Sequence, residues 1–112
     1  MNYRDYVINR LKPFKRGDVI ITYHALIRLA QRQVSEAEIV ENVINPKRLE
    51  YAVKEAAASE GEEKFDCYFA YSRNRCHRYV IVIKDKVIVV TAVKIDRRWQ
   101  RIAEKKLRSS KW

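Results

Sequence analysis

The chain has 112 residues, 47% of them hydrophobic and 34% charged, which suits a single soluble domain with one core at the usual size of roughly 100–150 residues. Its 24 Lys and Arg against 14 Asp and Glu leave a formal charge of +10, a field that draws polyanions and puts nucleic acid first among the expected partners. No apolar run approaches the ~20 residues of a membrane-spanning helix, and two glycines are too few for a phosphate or dinucleotide loop. The expectation is therefore a cytoplasmic protein with no membrane contact and no cofactor.

Residues 2–11 predict a short helix, because Tyr3, Tyr6, Val7 and either Arg10 or Leu11 recur at helical spacing; Pro13 ends it. A basic turn over residues 14–18, containing Gly17, leads into the β-branched run Val19-Ile20-Ile21, a short strand. Thr22 is placed to cap the next helix through its hydroxyl. Along that helix His24, Arg28 and Arg32 recur every fourth residue, and steps of four drift slowly round one side. Leu26, Leu29 and Ala30 fall opposite and are expected to face a core. Ser35-Glu36-Ala37-Glu38 is a capping box that opens a second helix. Ile39, Val40, Val43 and Ile44 form its apolar stripe, and Asn45-Pro46 stops it.

The period then changes from helical to alternating. Leu49, Tyr51 and Val53 alternate with Glu50, Ala52 and Lys54 as a strand, and residues 55–63 read as a loop. A second strand covers residues 65–71. Ser72-Arg73-Asn74-Arg75 is a turn with Asn74 available for a left-handed conformation. Residues 78–83 and 87–95 are two further strands joined at Asp85-Lys86, and the near-continuous apolar run from Val87 to Val93 predicts burial on both faces. From Lys94 to Trp112 there are eight basic residues and two acids; within it, Ile95, Trp99, Ile102 and Ala103 sit at helical spacing and predict a tail helix with one apolar face. Cys67 and Cys76 make no disulfide framework and read as reduced thiols. One domain over residues 1–112 follows, with a core at 19–95 and a basic tail at 96–112. Its expected class is α+β: a helical pair on a four-stranded or slightly larger, mainly antiparallel sheet, flanked by an extra N-terminal helix and a basic C-terminal helix.

Three groups of residues carry candidate chemistry. Cleavage of an RNA phosphodiester needs a base for the 2′-OH proton, cations for the pentavalent phosphate and an acid for the leaving oxygen. Histidine serves as base or acid near neutral pH, and arginine holds phosphate with a planar fork of donors. The His24–Arg28–Arg32 stripe therefore has the residue types for metal-free cleavage; the alternative is an exposed helix face with two solvated arginines. The second group is Arg73, Arg75, His77, Arg78 and Tyr79, whose aromatic and basic residues suit stacked bases and paired phosphates of a single strand, or an edge strand protected by charge. The third is Lys94, Arg97, Arg98, Trp99 and Arg101, either a grip on a nucleic-acid backbone or a solvated helix face with Trp99 in the core. The acids are too scattered for a two-metal centre, and Cys76-His77 alone falls short of a zinc site.

The segment I-T-Y-H-A-L-I-R-L-A-Q-R-Q-V-S-E-A-E-I-V-E-N-V-I-N-P resembles the opening of a widespread family of small domains of unknown function, the family numbered 4258, related in pattern to the BrnT and RelE-like ribonuclease toxins. The likeness runs over about residues 19–94, through H-A-x-x-R-x-x-x-R, the serine-acid turn and the strand V-I-V-V-T-A-V-K. It implies a RelE-like α+β fold, metal-independent endoribonuclease activity and a protein antitoxin as partner. Carried over by motif, His24, Arg28 and Arg32 match the helix positions, and Thr91 matches the threonine of the last strand. A counterpart of the carboxy-terminal catalytic tyrosine of some RelE-type toxins is not placed.

The leading expectation is a small basic RNA-directed protein, a toxin-like endoribonuclease in which His24 is base or acid and Arg28 and Arg32 hold the phosphate. Arg73, Arg75, Arg78, Tyr79, Lys94, Arg97, Arg98 and Arg101 would contact the rest of the nucleic acid. The alternatives are a non-catalytic nucleic-acid-binding module, and an interaction protein that dimerises through Trp99 and Ile102.

Overall fold

The structure, a computed structural model, describes residues 1–109; residues 110–112 of the expected tail lie outside the described residues. In chain order the elements are α1 (Arg4–Leu11), a 3-10 turn (Arg16–Asp18), β1 (Val19–Ile21), α2 (Tyr23–Arg32), α3 (Glu36–Ile44), β2 (Leu49–Glu55), β3 (Glu63–Ser72), β4 (Arg75–Ile83), β5 (Val87–Ile95) and α4 (Gln100–Ser109). The strands make one five-stranded sheet in the order β1-β5-β4-β3-β2. β2 to β5 are an antiparallel meander, while β1 runs parallel to β5. The fold is thus α+β with a mixed sheet.

The sheet has two differently covered faces. Phe65, Cys67 and Phe69 of β3, Tyr79, Ile81 and Ile83 of β4, and Val87, Val89 and Ala92 of β5 form the main core with Val7 and Leu11 of α1, Leu29 of α2, and Ile39 and Val43 of α3. The other face carries Tyr68, Cys76, Tyr51 and Ala70 against Trp99, Ile102 and Ala103. α4 therefore spends its apolar face inside the chain, with Trp99 1% exposed. Trp99 is therefore covered within the chain and cannot make the expected homodimer contact, while Ile102 is half-buried. β5 corrects a second expectation: only one of its faces is fully buried, and the other stays half-exposed, since the cluster under α4 on that face draws mainly on β2, β3 and β4.

The helix ends follow their sequence signals. The Thr22 hydroxyl accepts from the Ala25 amide, and the Ser35 hydroxyl accepts from the Glu38 amide, satisfying first-turn donors that have no intrahelical partner. α2 ends on Gln33 in the left-handed region, at φ 54°. Among the described residues it is the only non-glycine with positive φ, so Asn74 does not adopt the left-handed conformation expected of it. The β3–β4 connection is instead the two residues Arg73-Asn74, with a register shift between Ala70 and Ser72. On the apolar side of α2, Ala25 and Leu29 are buried and Leu26 is half-buried, but Ala30 is exposed; the helix is rolled so that the buried stripe lies nearer Arg32.

The β2 edge of the sheet is closed by residues before α1. At β2, Tyr3 N–H donates to the Ala52 carbonyl at 2.8 Å, the Asn2 carboxamide accepts from Ala52 N–H and donates to the Glu50 carbonyl, and Arg4 Nε donates to the Leu49 carbonyl. These bonds hold residues 2–4 against the β2 edge, and Asn2 Oδ1 also accepts from the Arg4 amide, so α1 begins at Arg4 rather than at Asn2. An open edge would otherwise offer its unpaired amides to another chain. Cys67 and Cys76 are both buried and unbridged; burial pushes the Cys76 thiol up to about 12 and the Cys67 thiol well above its usual range, leaving neither as a ready nucleophile.

Candidate functional site

β1 pairs with β5 only as far as Ile21 and Val89. Beyond that point the chain turns into α2, which takes over the outer edge of β5. Thr22 N–H donates to the Val89 carbonyl at 3.1 Å, and at the far end of the helix Arg32 Nη1 donates to the Ala92 carbonyl at 2.8 Å. Between these two attachments β5 carries a bulge: Val80 pairs with Thr91 but Ile81 pairs with Val89, so Val90 is the extra residue. A bulge bends its strand and re-aims neighbouring side chains. Here it opens a small cleft of about 90 Å³ between helix and strand, lined by His24, Ala25, Arg28, Arg32, Val90, Thr91 and Ala92.

The four residues expected to be catalytic, His24, Arg28, Arg32 and Thr91, thus share one cleft. Their roles differ in freedom. His24 and Arg28 are exposed and Arg32 is half-buried. Arg32 has one donor fixed on a strand carbonyl, which orients its guanidinium and leaves the rest of its five N–H donors for an anion. Tyr23, next to His24, is 78% exposed and offers a ring on which a base can stack; pattern reading passed over it because a tyrosine at a helix start carries no motif.

The second group divides. Tyr79 is fully buried: its ring packs on Phe69 at 4.8 Å between centroids, and its hydroxyl accepts from Asn42 at 2.9 Å and meets His77 Nδ1 at 2.7 Å. This corrects its assignment to nucleic-acid binding, since no base can reach the ring. Because the Tyr79 hydroxyl accepts from Asn42, its own proton is free for His77 Nδ1, which suits a neutral imidazole. Burial lowers the His77 pKa, opposed by Glu38 and Asp96 and reinforced by Lys94 and Arg75. Arg78 is also reassigned. On the α4 face it makes a two-pronged bond to Asp66, at 2.7 and 2.8 Å, and Lys106 of α4 approaches the same carboxylate at 3.3 Å. Asp66 is completely buried, so Arg78 serves to neutralise it, on the opposite face of the sheet from α2.

The remaining cations lie at the end of β5, after it and around the β3–β4 hairpin. Lys94 lies two residues beyond the carbonyl that Arg32 holds, and it shares Asp96 with Arg75 at 3.6 and 3.8 Å. At the hairpin a second cleft of about 260 Å³ is lined by Arg73, Arg98, Gln100 and Arg101. Arg97 is exposed and lines neither cleft.

Two buried polar residues escaped pattern reading, although each left a trace. Asn42 sits on the apolar stripe of α3, three residues after Ile39, and donates to both Tyr71 and Tyr79. Asp66 interrupts the apolar strand F-D-C-Y-F-A, and a buried carboxylate in such a strand requires a cation. Among the described residues no group of three or more His, Cys, Asp and Glu side chains is arranged to hold a metal ion, and no helix is long and apolar enough to cross a membrane. Comparison of the chain with protein-family models, curated proteins and solved structures gives no match.

Proposed function

We propose that this is a small RNA-directed protein of the RelE-like ribonuclease type, cutting RNA without a metal in the cleft between α2 and β5. The observation that carries the proposal is the convergence of His24, Arg28, Arg32 and Thr91 on that cleft. His24 takes the proton of a 2′-OH, the freed oxygen attacks the adjacent phosphorus as the P–O5′ bond breaks, and the 5′-oxygen departs with a proton from solvent water, to which the His24 imidazolium returns the proton it took. The products are a 2′,3′-cyclic phosphate and a 5′-hydroxyl. Arg28 and Arg32 balance the charge that builds on the phosphate, the Thr91 hydroxyl donates to one of its oxygens, and Tyr23 stacks a flanking base. A protein antitoxin covering this cleft is the partner that such an activity calls for.

The test is cleavage of end-labelled RNA with chelator present, comparing wild type with His24→Ala. Loss of general acid–base catalysis should slow cleavage by about 10²–10⁴-fold. Equal cleavage by both proteins, or none by either, rejects the proposal. A non-catalytic nucleic-acid-binding module is the second candidate, favoured by the arginine cleft at the hairpin. It predicts binding without turnover, with a log–log salt slope of about −0.7 per contacted phosphate on single strands.

A further inference from the structure

We infer that the cleft between the β3–β4 hairpin and the start of α4 is a binding site for a phosphomonoester, one that recognises the terminal phosphate of an RNA strand held in the α2–β5 cleft. The RNA part of this inference rests on the proposed function; the anion site does not.

One hydrogen bond joins the two sides of the site. Trp99 is buried, and its indole N–H donates to the Ser72 carbonyl at 2.8 Å. Ser72 precedes Arg73, and Trp99 lies between Arg98 and Gln100. The anchor therefore ties two basic segments, far apart in sequence, against each other. Arg73, Arg98 and Arg101 come to line one cleft with the Gln100 side chain, and no carboxylate is among the lining residues. Of the acids nearby, Asp96 is engaged by Arg75 and Lys94, while Glu50 and Glu104 line adjoining clefts that share Arg73 and Arg101 with this one; the first turn of α4 contains no acid.

Three guanidiniums gathered in a cleft that has no carboxylate in its own lining repel one another, and the positive start of the ten-residue helix, with no acid in its first turn, adds to that repulsion. An anion with several oxygens relieves both. Arginine forks match phosphate oxygens in pairs, and Gln100 supplies a neutral donor. The volume of about 260 Å³ accommodates a phosphate group with its linking oxygen and falls short of the 300–1,000 Å³ of ordinary ligand pockets. A monoester, with its second negative charge, exploits three cations better than the singly charged diester of a chain interior.

The experiment has two arms. In the first, inorganic phosphate is titrated into wild-type protein while the arginine side-chain Nε–H signals are followed by NMR. Saturable shifts confined to Arg73, Arg98 and Arg101, absent in Arg73→Ala/Arg101→Ala, are expected; shifts spread over all arginines overturn the site. In the second, three oligonucleotides of one sequence, bearing a 5′-phosphate, a 3′-phosphate or hydroxyls at both ends, are compared by fluorescence anisotropy. One phosphorylated form should bind wild type about tenfold more tightly than the dihydroxyl form, a modest return for new charge-assisted bonds, and the double variant should lose that preference. Equal binding of all three oligonucleotides, with local phosphate shifts retained, rejects terminal-phosphate recognition while leaving the anion site. No oligonucleotide binding at all, with the shifts retained, rejects the RNA assignment instead.

Discussion

Arg78→Ala separates structural cations from those available to nucleic acid. The Asp66 carboxylate is 0% exposed and the Arg78 side chain is 30% exposed. Removing the arginine strands a buried negative charge, which typically costs 3–5 kcal/mol. Lys106 remains at 3.3 Å and offsets part of this, so the expected loss is about 3 kcal/mol, the lower end of that range. With a urea m-value of about 1.5 kcal/mol/M for a small domain, the unfolding midpoint should fall by about 2 M. Asp66→Val/Arg78→Leu should recover at least half of the loss, because replacing a buried ion pair by apolar groups of similar volume is often neutral, and Lys106 keeps Glu55 at 3.4 Å. Under conditions where Arg78→Ala is still folded, its affinity for RNA should equal that of wild type. An unchanged urea midpoint together with weakened RNA binding would refute the reasoning and return Arg78 to the nucleic-acid surface.

Other outcomes follow from single contacts. The His77 pKa is lowered by burial, so the unfolded chain binds a proton more readily than the folded one. Stability should be full above the unfolded histidine value of about 6.5 and should decline as pH falls below it; urea midpoints at pH 7.5 and 5.5 should show this decline in wild type and a flatter response in His77→Gln. Gln33→Gly should raise stability by about 0.5–1 kcal/mol, since a left-handed residue without Cβ avoids a steric cost, and a thermal melt checks it. Ser35→Ala removes the cap on α3 and should cost about 1 kcal/mol. Tyr23→Ala should weaken RNA binding by about 1–3 kcal/mol, the usual worth of one stacked base, without lowering the melting temperature.

The parts of the fold that were legible in the sequence are those governed by local rules. Thr22 and Ser35 cap the helices expected of them, Asn45-Pro46 ends α3, and the alternation from Leu49 onward is a meander. Long-range pairing was not legible. Nothing local in Val19-Ile20-Ile21 says that it runs parallel to β5, and nothing in Asn2-Tyr3-Arg4 says that it will close the β2 edge. The same limit shaped the reading of the site. The spacing of His24, Arg28 and Arg32 put them on one side of a helix, but their meeting with Thr91 depends on where α2 docks and on the bulge at Val90. Conversely, Tyr79 and Arg78 looked like surface residues because they alternate with other polar residues on β4. The burial of Tyr79 and the pairing of Arg78 follow from partners on other elements, Asn42 of α3 and Asp66 of β3.

The most direct test of the catalytic cleft is single-turnover cleavage and equilibrium binding measured on the same RNA, for wild type and His24→Ala side by side. The account predicts equal dissociation constants within about twofold, because Arg28 and Arg32 rather than His24 hold the phosphate, and a cleavage rate reduced by about 10²-fold or more in the variant. Matching cleavage rates, or binding by both proteins with no product from either, would contradict it.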